Sequence, residues 1–463
     1  MFSSQSAPTF PPAQFRAVIL CGYGQDLFPI VEPPESESDI DSDQDAARPT
    51  NPQGLTKALL PVAGRKMIDW VLDRIEQAGI FDSLILTPTS IAGPLSSHIR
   101  TRRANTPEVS GNSKTPSPKL EIEQVPENIA RKGAAWVLHW ALESDFIKTD
   151  FVVLPCDLLL IPADLSDSSP LATLINKHRV QNHVFTTLFY TRAAANMDPK
   201  KGPSEVVTVY DGASDILLDI RDLDDYPDEI PIRASLLSRY PSFQLSTSLL
   251  PTQIYVFSSL VIPVLLSPEN TKRIKRTESL KELVGWMARL QWRYNGVNAI
   301  GENPNLDTGL VKKLTPYGCG LMIWTEKEGF CSRGNSISTW VELNRAALKL
   351  LPPTPVATST PPGVFISPDA HLHHTVYANL GEKVGIKRSI IGKGCIIGKG
   401  VKLTNCVVMD NVVISENSKL DNCVLSNGVQ VGSGSVIKDC EIGSNVCIDA
   451  GSQLKSEQLT ADE

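Results

Sequence analysis

An α/β domain followed by an all-β parallel β-helix is the architecture this sequence predicts, on three observations. Short apolar runs alternate with helix-like stretches over the first three quarters of the chain. A proline-dense stretch then interrupts the pattern, and beyond it apolar residues recur in steps of six, six and five. Strands alternating with helices imply a largely parallel sheet covered on both faces, whereas a 17-residue period is the mark of a coil with three short strands per turn.

The first run, Phe15 to Cys21, ends at Gly22-Tyr23-Gly24, the pattern of a buried strand entering a glycine loop. Leu84 to Thr87 and Asp150 to Pro155 repeat the apolar run. Between them, Lys66 to Gly79 places Met67, Trp70, Val71, Ile75 and Ala78 at helical spacing with Gly79 as a stop, and Gly133 to Glu143 reads as a second helix. Glu32 to Ala47 carries seven acidic residues and no base, and Arg102 to Lys119 is rich in Pro, Ser, Thr and Asn, so both are expected as mobile surface inserts. Leu249 to Leu266 is long enough for a membrane span, but Pro251 and Pro263 favour a strand at Gln253 to Phe257 feeding a short helix.

Leu351 to Pro362 has five prolines in twelve residues and is expected to be the linker. After it, Ile391, Ile397, Leu403, Val408, Ile414, Leu420, Leu425, Val431, Ile437, Ile442, Ile448 and Leu454 mark the inward side chains of the coils. Cys406, Cys423 and Cys440 lie 17 apart, each after Asn or Asp, and corroborate the register. A single file of thiols is not a tetrahedral ligand set, so they are expected as small buried packing residues. Glycines such as Gly392, Gly394, Gly432 and Gly434 suit corners of positive φ. The expected division is a disordered N-terminus (1–13), an α/β domain (14–350) with inserts at 32–54 and 102–119, the linker (351–362), the β-helix (363–455) and a tail (456–463).

Composition narrows function. The 463 residues exceed what one core usually organises, and 41% hydrophobic with 21% charged residues is that of a folded chain. A net charge of −7 gives no general attraction to nucleic acid or anionic lipid. No cationic start precedes an apolar core at the N-terminus, and nine cysteines without paired CxxC clusters suit reduced thiols, so the expected location is the cytosol, with no membrane or direct nucleic-acid partner.

The segments AVILCGYGQDLFPI and LTKALLPVAG resemble the signature of sugar-1-phosphate nucleotidyltransferases, in which a glycine loop cradles a triphosphate between Arg and Lys. Gly22, Gly24 and Lys57 match it; Asp26 stands where the family has Arg and would set a negative charge against the phosphates. Asp157 matches the family's metal position, with no acidic partner around Pro251 to Tyr255. The loop is therefore expected to be vestigial, with no catalytic residue, metal or cofactor; Lys57 is expected as a surface charge and Asp157 as a strand-end cap.

SLKELVGWMARLQWR (279–293) and RGNSISTWVELNR (333–345) extend the resemblance to the gamma subunits of eukaryotic translation initiation factor 2B, which join a nucleotidyltransferase-like domain, a Rossmann-like mixed sheet, to a left-handed β-helix. The resemblance implies a regulatory subunit of the guanine-nucleotide-exchange complex for initiation factor 2. It would pair with the epsilon subunit, sit in a decamer with alpha, beta and delta, and help bind the substrate factor. Because the chain ends at Glu463, without room for epsilon's C-terminal helical domain, gamma is expected over epsilon. Val407, Val413 and Val424, on the outside of the coils, are candidates for a partner surface or for packing on the chain's own first domain. The alternative is an active sugar-1-phosphate nucleotidyltransferase of the mannose-1-phosphate guanylyltransferase type. A hexapeptide acyltransferase is disfavoured because no histidine follows His374.

Overall fold

The computed structural model describes residues 15–31, 55–105, 119–164, 169–191, 206–226, 229–293, 318–350 and 361–460. The expected N-terminal tail (1–13), the acidic insert (32–54), residues 106–118 of the second insert and residues 351–360 of the linker lie outside them.

The first strands are β1 (Arg16–Leu20), β2 (Pro61–Val62), β3 (Arg65–Lys66), β4 (Asp82–Pro88), β5 (Lys119–Val125), β6 (Phe151–Pro155) and β7 (Leu158–Pro162). They are followed by β8 (Phe185–Thr191), β9 (Val206–Asp211), β10 (Ile216–Asp222), β11 (Gln244–Ser246), β12 (Leu249–Phe257), β13 (Cys319–Thr325) and β14 (Gly329–Arg333). Ten of them form one sheet in the order β11-β9-β10-β13-β8-β12-β6-β1-β4-β5. β1 pairs in parallel with both β4 and β6, and β12 runs antiparallel to β6 and β8, so the sheet is mixed, as the nucleotidyltransferase-like resemblance implies. Alternation along β1 explains the two covered faces: Val18 enters one buried cluster, Ala17 and Ile19 the other. Helices Met67–Gln77 and Ala134–Glu143 occupy the expected segments, and SLKELVGWMARLQWR forms a further helix, Leu280–Arg293. Leu249 to Leu266 is a strand followed by a short helix, Ile262–Leu265. Among the described residues no helix is long and apolar enough to cross a membrane.

Helix Ala92–Asn105 includes the first residues of the expected second insert, and Arg102, bonded to Asp69 and Asp73, holds its last turn. At the other end Gln458–Leu459 pairs with Glu441–Ile442, so ladder pairing runs into the expected tail.

The C-terminal coils stack three parallel ladders. The first face contains Gly385–Lys387, Lys402–Thr404, Lys419–Asp421, Val436–Lys438 and Gln453–Lys455; the second contains Ile390–Ile391, Val407–Val408, Val424–Leu425 and Glu441–Ile442; the third runs from Ile396–Ile397 to Cys447–Ile448. Leu403 faces Leu420, Val408 faces Leu425 and Ile414 faces Val431, each 17 residues on. These side chains fill one buried cluster with Cys406, Cys423 and Cys440. The Cys423 and Cys440 thiols each donate to the carbonyl two residues earlier, at 3.1 Å, which satisfies them inside the core. Positive-φ corners are shared between glycine and asparagine: Asn405 and Asn422 adopt φ of 53° and 55°. Gly432 has a different reason, since an added Cβ would lie 2.4 Å from the backbone nitrogen of Ala450 in the next coil.

The two domains pack directly. Val407, Met409 and Val424 share a buried cluster with Leu27, Ile30, Val31, Leu55, Trp70 and Trp340. Trp340, on helix Ile337–Leu350, is fully buried and its indole N–H donates to the Pro61 carbonyl at 3.0 Å, while Arg345 donates to the Asn422 side chain at 2.8 Å. Of the three valines considered as a partner surface, Val407 and Val424 are each 4% exposed and are covered by the chain itself; Val413 is half-buried on another face. Val424→Asp is expected to cost about 3 kcal/mol or more, the penalty of an unpaired charge in an apolar contact, read as a lower midpoint in urea unfolding; an unchanged midpoint contradicts this docking.

Candidate functional site

Because β1 and β6 are parallel neighbours, their carboxyl ends open at the same edge, the place where α/β sheets commonly hold ligands. Cys21 and Gly22 follow directly on β1, and Cys156 and Asp157 directly on β6. The glycine loop turns at Gly24, whose φ of 82° suits glycine, and a Cβ there would stand 3.1 Å from the Lys57 Cβ. Tyr23 ties the loop down through its hydroxyl bond to Glu127. Gly22 is exposed, and an added Cβ would meet nothing within 4 Å.

Lys57 is not a surface charge. It begins a short 3-10 turn, is 9% exposed, and its Nζ lies 2.7 Å from Asp157 Oδ2. Asp157 is fully buried, and its carboxylate also accepts from Arg333 Nε and Nη2 at 3.1 Å. The Asp157 carbonyl accepts from the Gly334 N–H at 2.8 Å, which fixes β14 to the end of β6. Burial alone would raise the Asp157 pKa, but the charges of Arg333 and Lys57 outweigh it and bring it down to about 2. Sequence spacing left Lys57 and Asp157 without partners; the structure pairs them with each other and adds Arg333, which sequence reasoning missed. Its signal was the arginine opening RGNSISTWVELNR.

A cavity of about 200 Å³ lies here, lined by Gly22, Lys57, Gly133, Asp157, Gln253 and Arg333 among others. That is below the roughly 300 Å³ at which small-molecule pockets begin. Gln253 sits at φ 59° where the β12 register shifts between Pro251 and Tyr255, and Thr252 Oγ1 bonds the Leu188 carbonyl to hold that irregularity. Gly133 allows close packing, since a Cβ would fall 2.3 Å from the Glu278 carbonyl oxygen, and that carbonyl accepts from the Ala135 N–H in the first turn of the adjoining helix. Cys156 and burial together hold the neighbouring Cys21 thiol protonated. Asp26 is exposed on the turn Gln25–Leu27 rather than among the lining residues, so its charge faces solvent. For the metal expected in nucleotidyltransferases the residues are a poor fit: Asp157 is already spent on two cations, and among the described residues no group of three His, Cys, Asp or Glu is placed to hold an ion.

The fold and site define a class, a large mixed α/β domain packed on a left-handed β-helix. A family model described as the eIF2B subunit epsilon LbH domain matches residues 364–454. The translation initiation factor eIF2B subunit gamma of Schizosaccharomyces pombe is 24% identical over 351 residues, covering 74% of this chain and 67% of that one. The subunit of the same name from Dictyostelium discoideum is 23% identical over 385 residues, covering 73% and 82%. The chain is thus similar to eIF2B gamma subunits over about three quarters of its length, and its coils to the β-helix of an eIF2B subunit.

Asp157→Asn leaves two cations facing a neutral group and is expected to lower unfolding free energy at pH 7 by about 3–5 kcal/mol, measured in urea. In the unmodified chain the carboxyl titrates at about 2 when folded and near 3.8 when unfolded. Its contribution, about 2 kcal/mol, is therefore complete above pH 4 and lost as pH falls toward 2. Comparing the acid limb of stability for the unmodified chain and Asp157→Asn checks this; parallel curves from pH 4 to 2 refute it.

Proposed function

We propose that the chain is a non-catalytic, regulatory subunit of the eIF2B guanine-nucleotide-exchange complex, acting on initiation factor 2 from the cytosol. It pairs with the epsilon subunit and assembles with alpha, beta and delta in a decamer, helping to bind the substrate factor. Two relatives carrying the name of the gamma subunit support membership of the complex. The observation that carries the non-catalytic reading is the Asp157 carboxylate bound by both Lys57 and Arg333. A metal-dependent nucleotidyl transfer needs a carboxylate free for the cation and a lysine free for phosphate. Here each neutralises the other. Val413, half-buried on the third face of the coils, remains a candidate contact for a partner, unlike Val407 and Val424.

Affinity purification of the tagged full chain from its native cells is expected to recover epsilon, alpha, beta and delta; recovery of a homo-oligomer alone overturns the assignment. Incubation of the purified chain with Mg²⁺, nucleoside triphosphates and mannose-1-phosphate or glucose-1-phosphate is expected to release no pyrophosphate above the blank. Robust turnover would refute the non-catalytic reading while leaving membership of the complex to the purification.

A further inference from the structure

Residues that flank the inward leucine or isoleucine of each first-face strand point outward, and each strand supplies one lysine among its two: Lys387, Lys402, Lys419, Lys438 and Lys455, all exposed. Lys402 stands directly opposite Lys419 in the parallel register, and Lys438 directly opposite Lys455. Neighbouring rungs are about 4.8 Å apart, and like charges directly opposite one another are unfavourable. Among the described residues none of the five is in an ion pair, whereas Lys399, just off the face, pairs with Glu382 at 3.0 Å. Asp421 is the acidic residue on the face, between Thr404 and Lys438 in the ladder. The concentration is local, because the whole chain has 44 basic and 51 acidic residues. The second face is closed by the chain's own first domain, but the lysines are open to solvent.

Core packing does not call for this arrangement, since the inward residues alone fill the coil. We propose that the lysine face docks an acidic, extended segment of a partner protein. Carboxylates at every second residue of an extended chain project on one side, about 6.6 Å apart, and can reach both lysine columns. Phe365, 55% exposed and lying under the Lys387 ammonium at 5.7 Å, offers an apolar step at the end of the same ladder. Nucleic acid is the poorer occupant: the net charge is −7, the face has no arginine, and Phe365 is its aromatic group, without the interleaved stacking platforms that single strands use. The surface shares no residue with the Asp157 cavity, and its chemistry does not depend on membership of an exchange complex.

The full chain is titrated by fluorescence anisotropy with a short fluorescein-labelled peptide of alternating Glu and Ser, with a Gln-Ser peptide and an oligouridine as comparison probes. The Glu-Ser peptide is expected to bind at low ionic strength, to weaken as salt rises, and to outcompete both comparison probes. Joint substitution of Lys402, Lys419, Lys438 and Lys455 by Gln is expected to weaken binding about tenfold or more. The same change at Lys148, Lys272, Lys327 and Lys349, exposed elsewhere, alters net charge equally and is expected to leave most of the affinity. Removing the stacked like charges is also expected to keep or raise the melting temperature, so a fold defect is visible separately. No peptide binding, equal loss in the two quadruple variants, or tighter binding of oligouridine overturns the proposal.

Discussion

The carboxylate of Asp157 is the point on which the first domain and its attachment to the second both depend. It stands just past β6, receives Lys57 from the segment after the glycine loop, and receives Arg333 from the end of β14. Three stretches distant in sequence are joined at one buried charge, and the strand fixed by Arg333 leads directly into the helix that carries Trp340. A charge taken from water is costly unless it is fully partnered, so the position of each stretch is specified by the others. The same requirement closes the chemistry of the cavity. Groups that satisfy each other inside the fold are not free to meet a phosphate or an ion.

Much of the fold was legible because it depends on periodicity. The 17-residue spacing of apolar residues and cysteines places the inward side chains of the coils, and the strand and helix patterns around Gly22, Trp70 and Trp136 mark real elements. The direction of pairing was less legible: β12 has the composition of a buried strand in either direction, and its antiparallel run beside β6 is a matter of tertiary order. Helix Ala92–Asn105 carries no strong apolar periodicity to announce it, and its polar, arginine-rich last turn is held by Asp69 and Asp73 across the surface. Side-chain partnerships of histidine are likewise set in space, His98 with Asp69 and His178 with Thr186.

At the site, motif positions were legible but partnerships were not. Gly22, Gly24, Lys57 and Asp157 do converge at one strand edge. What spacing could not supply was Arg333, 176 residues from the aspartate it binds, or the outward orientation of Asp26. Charge read along a motif assigns each residue to an absent ligand; charge read in space shows the residues neutralising one another. Val407 and Val424 make the same point for apolar groups, since an outward-facing valine on a coil is concealed once a second domain lies over it.

The 17-residue coil gives the second domain a phase as well as a length. Gain or loss of a whole coil would add or remove one rung and leave every later side chain on its own face. Gain or loss of a single side, five or six residues, would rotate all that follows by a third of a turn, bringing lysines under the first domain and valines into water. Length changes that the stack can absorb are thereby whole coils and excursions at the corners, where extra residues can leave and rejoin without disturbing the ladders.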